Sequence, residues 1–169
     1  AKLETMQAVA EARHRHQAPV VAIQPMYNLL KRQAEVEILP MAQALGLAVC
    51  PYNPLAAGIL TGKYLRGEHG RLNESANYAK RYGVPTQDEV SARFVAHAHE
   101  RGVSPAALAV AWVGAHPAVT APILGARTAA QLADTLGCVD IALTPEERAE
   151  ISRLSPAPPL ATDREDERE

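Results

Sequence analysis

Between Val20 and Tyr52 the sequence changes its period twice, and few folds accommodate the change. Val20–Ile23 is a short run rich in β-branched residues, the length and composition of a buried strand. Val36, Leu39, Ala42 and Leu45 then recur at helical spacing, and Gly46 follows as a natural stop. Leu47–Tyr52 returns to a short apolar run. Strand, loop, helix and strand in so short a span make the βαβ unit of a parallel sheet, which buries both faces and needs helices over it.

The rest of the chain extends the same rhythm. Leu3–His16 carries Leu3, Met6 and Val9 at helical spacing and ends before Pro19. Asn53–Pro85 is long and glycine-rich without clean periodicity, the profile of a functional or disordered loop. Thr86 and Glu89 have capping-box spacing and open a helix to Arg101, closed by Gly102. Ser104 and Pro105 form an N-cap and first-turn pair for a helix through Val113. Val119–Leu124 reads as a third strand, with Pro122 near its start or at a bulge. Thr128 opens another helix with Gln131 in the box position, and Thr144, Pro145 and Glu147 open the last, which ends near Leu154. About three parallel strands with flanking helices over 1–154 match the C-terminal portion of a (β/α)₈ TIM barrel. A whole barrel takes eight strands and roughly 250 residues. Ser155–Glu169 is rich in proline and charge and reads as a disordered tail.

Composition narrows the function classes. The 169 residues are 47% hydrophobic and 21% charged, a globular balance, with a net charge of −2. No basic excess exists to meet a nucleic-acid backbone, and no apolar run is long enough for a membrane span. The first residues lack a signal-peptide pattern, and Cys50 and Cys138 read as reduced thiols, so the expected compartment is the cytoplasm. The chain opens inside helical sequence without Met, which predicts that residues precede Ala1. His14 with His16 and His97 with His99 lie two apart on predicted helices. They face different sides, so no metal site is expected.

In α/β barrels functional groups collect at the C-terminal ends of strands. Three such ends are visible: Gln24 with Tyr27 and Asn28, Tyr52 with Asn53, and Gly125 with Arg127. An amide can pair with a carboxamide, and an aromatic ring can stack on a heterocycle. A helix N-terminus with an adjacent Arg can hold a phosphate. Each residue alone also has a plain reading, as a satisfied polar side chain, a core ring or a turn glycine.

The strings go further. Gln24-Pro-Met-Tyr-Asn28, Tyr52-Asn-Pro-Leu-Ala-Ala-Gly-Ile-Leu-Thr-Gly-Lys-Tyr64 and Ile123-Leu-Gly-Ala-Arg-Thr-Ala-Ala-Gln-Leu132 stand in that order, followed by Leu143-Thr-Pro-Glu146. Together they resemble the C-terminal part of aldo-keto reductases, with a similarity to bacterial reductases related to potassium-channel β subunits. The resemblance runs from about Leu3 to Leu154. It implies an NADPH-dependent oxidoreductase that reduces aldehydes or ketones to alcohols. It also implies roles: Gln24 on the nicotinamide carboxamide, Tyr52 stacked on the ring, and Asn53, Pro54, Leu55, Ala56 and Gly58 as the pyrophosphate loop with Lys63 above it. Gly125, Arg127 and Gln131 would form the adenosine and 2′-phosphate pocket. Asp134 and Thr135 fall where the family usually has Glu and Asn, and Arg71 is a further loop contact. The family's catalytic Tyr, Lys, Asp and His lie on earlier strands, so no catalytic residue is assigned within these 169. Two other readings stand beside this one. One is a non-catalytic regulatory or redox-sensing subunit, and the other is a partial barrel that self-associates to cover its open edges.

Overall fold

Pairing of Ala22 with Ala48 and of Ile23 with Val49 sets the register of a two-stranded parallel sheet. The computed structural model describes residues 2–15, 20–82 and 86–159. Its elements in order are α1 (Lys2–His14), β1 (Ala22–Ile23), α2 (Ile38–Leu45), β2 (Ala48–Val49), α3 (Arg71–Glu74), α4 (Ala76–Tyr82), α5 (Thr86–Glu100), α6 (Pro105–Gly114), α7 (Ala129–Leu136) and α8 (Pro145–Ser152). Short 3₁₀ turns occupy Gln33–Glu35, Ala56–Thr61, Tyr64–Arg66 and Gly137–Asp140. The β1–α2–β2 crossover is the expected βαβ unit, and its pairing continues beyond the strands as a parallel bridge between Met26 and Tyr52. Gly46 ends α2 in the left-handed region at φ 65°, where a side chain would be strained. Val36 lies in the turn before α2 and not on it.

The expected third strand is not one. The N–H groups of Thr120 and Ile123 donate to the Val49 and Pro51 carbonyls, both at 2.8 Å, so 119–124 does run beside β2. The return bonds are missing. The Val49 N–H donates to the Thr120 side-chain oxygen at 3.0 Å instead of to a backbone carbonyl, and Pro122 has no N–H to give. A ladder bonded from one side leaves a strand-like rail, and the described residues contain two parallel strands where about three were expected.

The stretch read as a loop, Asn53–Pro85, is also structured, because α3, α4 and two 3₁₀ turns fill most of it. Each of these elements is too short to display a period. Packing holds them: Ile59 and Leu60 are buried, and Ser91 of α5 donates to the Ile59 carbonyl at 2.7 Å.

Helix α6 is the centre of the core. Every residue from Ala106 to Val113 is buried, as its all-round apolar sequence requires. It packs on α5, α7 and the 56–61 turn. Ser104 accepts the Ala106 and Ala107 N–H groups at 3.1 and 3.4 Å, and Pro105 takes the first turn, as the sequence indicates. Thr144 and Glu147 form the expected reciprocal box at α8. Helix α1 ends at His14, not His16, and buries Val9 while Met6 stays exposed. The Leu3 side chain, His16, Pro19 and residues 160–169 of the tail lie outside the described residues. So do residues 83–85, immediately before α5.

Candidate functional site

The C-terminal end of β2 delivers Tyr52 to the rim of a cavity. Its N–H donates to the Pro25 carbonyl at 3.1 Å, which ties it to the chain leaving β1, and its side chain is 39% exposed. The backbone then bends sharply. Asn53, Ala56 and Ala57 all have positive φ (63°, 50° and 59°), and Gly58 follows at 93°. Left-handed Ala residues cost on the order of 1 kcal/mol each, so something must hold them. Asn53 does much of this: its Oδ1 accepts the Ala57 N–H at 2.8 Å and its Nδ2 donates to the Tyr82 hydroxyl at 2.7 Å. Asn28, fully buried, donates to the Asn53 carbonyl and to the same Tyr82 oxygen, both at 3.0 Å. Three residues far apart in sequence thus clamp one turn. Asn28 had a sequence signal in its motif, and Tyr82 had none.

The opposite wall is the entrance to α7. Thr128 caps the helix by accepting the Gln131 N–H at 3.2 Å. The expected box is only half made, because the Gln131 side chain accepts the Arg127 N–H at 3.0 Å and not that of Thr128. Gln131 therefore fixes the turn that presents Arg127. The Thr135 hydroxyl donates to the Gln131 carbonyl at 2.7 Å and is committed to the helix backbone. Asp134 is exposed.

Between the two walls lies a cavity of about 550 Å³. Tyr52, Asn53, Pro54, Leu55, Gly58, Lys63, Gly125, Arg127, Gln131, Asp134 and Thr135 all line it, as does Arg71. Two of the sequence-derived positions do not. Ala56 is fully buried beneath the loop, and Gln24 is exposed beyond β1. The cavity gathers Lys63, Arg66, Arg71 and Arg127, although the chain as a whole carries −2. Lys63 Nζ lies 4.9 Å from the Tyr64 ring centre and donates to the His69 carbonyl at 3.4 Å. Arg66 pairs with Glu68 at 2.7 Å. Arg127 forms a fork-to-fork pair with Glu74, a residue that the sequence did not single out. That pairing holds the Glu74 carboxyl below its usual range and pushes the guanidinium up.

Two buried tyrosines hold their protons more tightly than a free phenol does. Burial, the hydrogen bond to Glu35 and that carboxylate's charge push Tyr27 far up against the opposing pull of Arg148 and Arg32. Burial pushes Tyr82 up to about 12. The Tyr64 hydroxyl donates to the Ala57 carbonyl at 3.1 Å and accepts the Leu72 N–H at 3.2 Å, a structural use. Among the described residues no group of three or more His, Cys, Asp or Glu is arranged to hold a metal, and no helix is long and apolar enough to cross a membrane. Cys50 and Cys138 are free and half-buried.

The chain belongs to the aldo/keto reductase family, whose family model matches residues 1–156. It is 38% identical to an uncharacterized oxidoreductase, YrpG, of Bacillus subtilis, over 90% of this chain and 46% of that protein. It is 35% identical to a probable voltage-gated potassium channel subunit beta of rice, Oryza sativa, over 86% of this chain and 46% of that protein. An L-glyceraldehyde 3-phosphate reductase of Escherichia coli is 32% identical, over 89% and 46%. The chain spans less than half the length of these curated relatives.

Proposed function

We propose that this chain is the cofactor-binding C-terminal part of an NADP(H)-dependent aldo-keto reductase barrel acting on aldehydes or ketones. The observation that carries the reading is the meeting of Tyr52, the strained 53–58 loop, Lys63 and the Gly125–Arg127 helix entrance on one cationic cavity. The donor set fits a dinucleotide. A half-exposed ring is available for stacking, two cations suit a pyrophosphate, and an Arg at a helix N-terminus suits a further phosphate. Gly125 fits as well, since a Cβ there would meet no protein atom within 4 Å. When bound, a nicotinamide supplies the hydride for reducing a carbonyl carbon. The residues of this chain bind and orient it, and the general acid lies outside these 169 residues. Similarity to the rice channel subunit supports the second reading, a regulatory role that needs binding without turnover.

The test is a titration of NADPH and NADH into the chain. Binding is expected, and Arg127→Ala should weaken NADPH more than NADH, because a guanidinium fork gains most from a phosphate dianion. Equal weakening would remove Arg127 from the phosphate site. Aldehydes added with NADPH should show no turnover above background, since a positioned general acid contributes about 10²–10⁴-fold. Turnover by the chain alone would contradict this division of labour. The barrel reading also predicts self-association: Val21, beside β1, is 65% exposed and Ile123 39%, and open strand edges template pairing. A monodisperse monomer in light scattering would count against it.

A further inference from the structure

Glu74 closes α3 and Arg127 stands before α7, yet their side chains meet at the edge of the cavity. Nη1 of Arg127 donates to Oε1 of Glu74 at 3.1 Å, and Nη2 donates to Oε2. Both side chains are at least half open to solvent, at 59% and 50% exposure. An ion pair this exposed adds little to stability, so the fold does not need it. Its chemical effect is specific all the same. The guanidinium at the helix entrance already has its fork filled by two oxygens, the same bidentate face that a phosphate presents. The surroundings favour anions. Lys63 and Arg71 act on the Glu74 carboxylate from the same cavity, and among the described residues neither has a carboxylate within ion-pair distance.

We propose that Glu74 is an internal competitor for the phosphate at Arg127, and that it sets how strongly the cavity prefers a 2′-phosphorylated nucleotide over its unphosphorylated counterpart. The inference rests on reading the cavity as a dinucleotide site. A phosphate dianion must displace a carboxylate from the guanidinium, so part of its binding energy goes into breaking the Glu74 pair. A ligand without that phosphate leaves the pair intact. Removing the carboxylate should therefore help the first ligand and leave the second nearly unchanged. The carboxylate set free stays in the field of Lys63 and Arg71, so the exchange needs no change of fold.

The experiment is calorimetric titration of adenosine 2′,5′-bisphosphate and of adenosine 5′-monophosphate into the full chain. The variants are Glu74→Gln, Arg127→Ala and the double substitution. Glu74→Gln should tighten the bisphosphate about fivefold, from release of an exposed ion pair. It should change the monophosphate less than about twofold, and the gain should vanish in the Arg127→Ala background. Wild-type binding of the bisphosphate that Glu74→Gln leaves unchanged or weakens overturns the competitor role while the nucleotide site stands. Failure of the wild type and of Glu74→Gln to bind either nucleotide overturns the nucleotide reading and this inference with it.

Discussion

Two of the Arg–Glu groupings among the described residues are built from the same groups and put to opposite use. The inner one joins the loop after β1 to α8. Glu35 takes Arg32 at 3.2 and 2.8 Å, accepts the Tyr27 hydroxyl at 2.5 Å and lies 3.5 Å from Arg148. Arg148 in turn donates to Tyr27 at 2.5 Å and sits 4.8 Å from the centre of the Trp112 ring. Trp112 is fully buried and donates to the Arg148 carbonyl and the Ser152 hydroxyl. The outer cluster is the Glu74–Arg127 pair at the cavity edge. Inside, the Arg32, Glu35 and Arg148 side chains are only 13–18% exposed and each has more than one partner, so losing one leaves the others poorly paired where water reaches them little. Outside, water replaces a lost partner at once. Burial turns the first pair into a fastener of the fold, and exposure leaves the second free to exchange with a ligand.

The largest effect that would break this contrast is on stability. Arg148→Ala should cost about 3 kcal/mol, because it strips a donor from buried Tyr27, a cation from the Trp112 face and a charge from Glu35. Arg127→Ala should leave the urea midpoint of unfolding where it was. Equal losses from the two substitutions would show that burial does not separate the clusters.

Acid should sharpen the same contrast. Burial alone would raise the Glu35 carboxyl, but hydrogen bonds from Arg32 and Tyr27 and the charges of Arg32 and Arg148 outweigh it and hold it below its ordinary 4.5. Burial and the Arg148 charge hold His116 below its ordinary 6.5, against the opposing charge of Glu35. Both folded-state values are depressed. The stability tied to them is therefore present above the unfolded values and is lost as pH falls, first below about 6.5 through His116 and then below 4.5 through Glu35. Arg148→Ala removes a cause of both shifts, so its stability should fall less steeply with acid than that of the wild type. Urea midpoints measured across this range give the comparison, and parallel curves would place the acid sensitivity elsewhere.

The smallest expected effect on stability is at Gly125. Its φ is not in the left-handed region and a Cβ would meet nothing, so Gly125→Ala should unfold like the wild type. The same substitution should weaken NADPH, measured by titration, if the open space beside the helix entrance is the ligand's. Unaltered binding would make Gly125 an ordinary turn residue.

What could be read from the sequence is local. The cap at Ser104–Pro105, the box at Thr144–Glu147 and the left-handed stop at Gly46 are each decided by neighbours within four residues, and the structure keeps all three. The order of the motifs placed most candidate residues on one rim, because strand ends of a parallel sheet share a side. The sequence did not show that Thr120 would use its hydroxyl where a strand uses its carbonyl, or that 56–82 would fold into elements too short to carry a period. Nor did it show that Gln24 and Ala56 would stand apart from the cavity. The two ion clusters lay beyond its reach for the same reason. Arg148 meets Tyr27 across 121 residues and Arg127 meets Glu74 across 53. Backbone propensity and capping act over a few residues. Which charge meets which, and whether water stands between them, is settled only when distant segments pack.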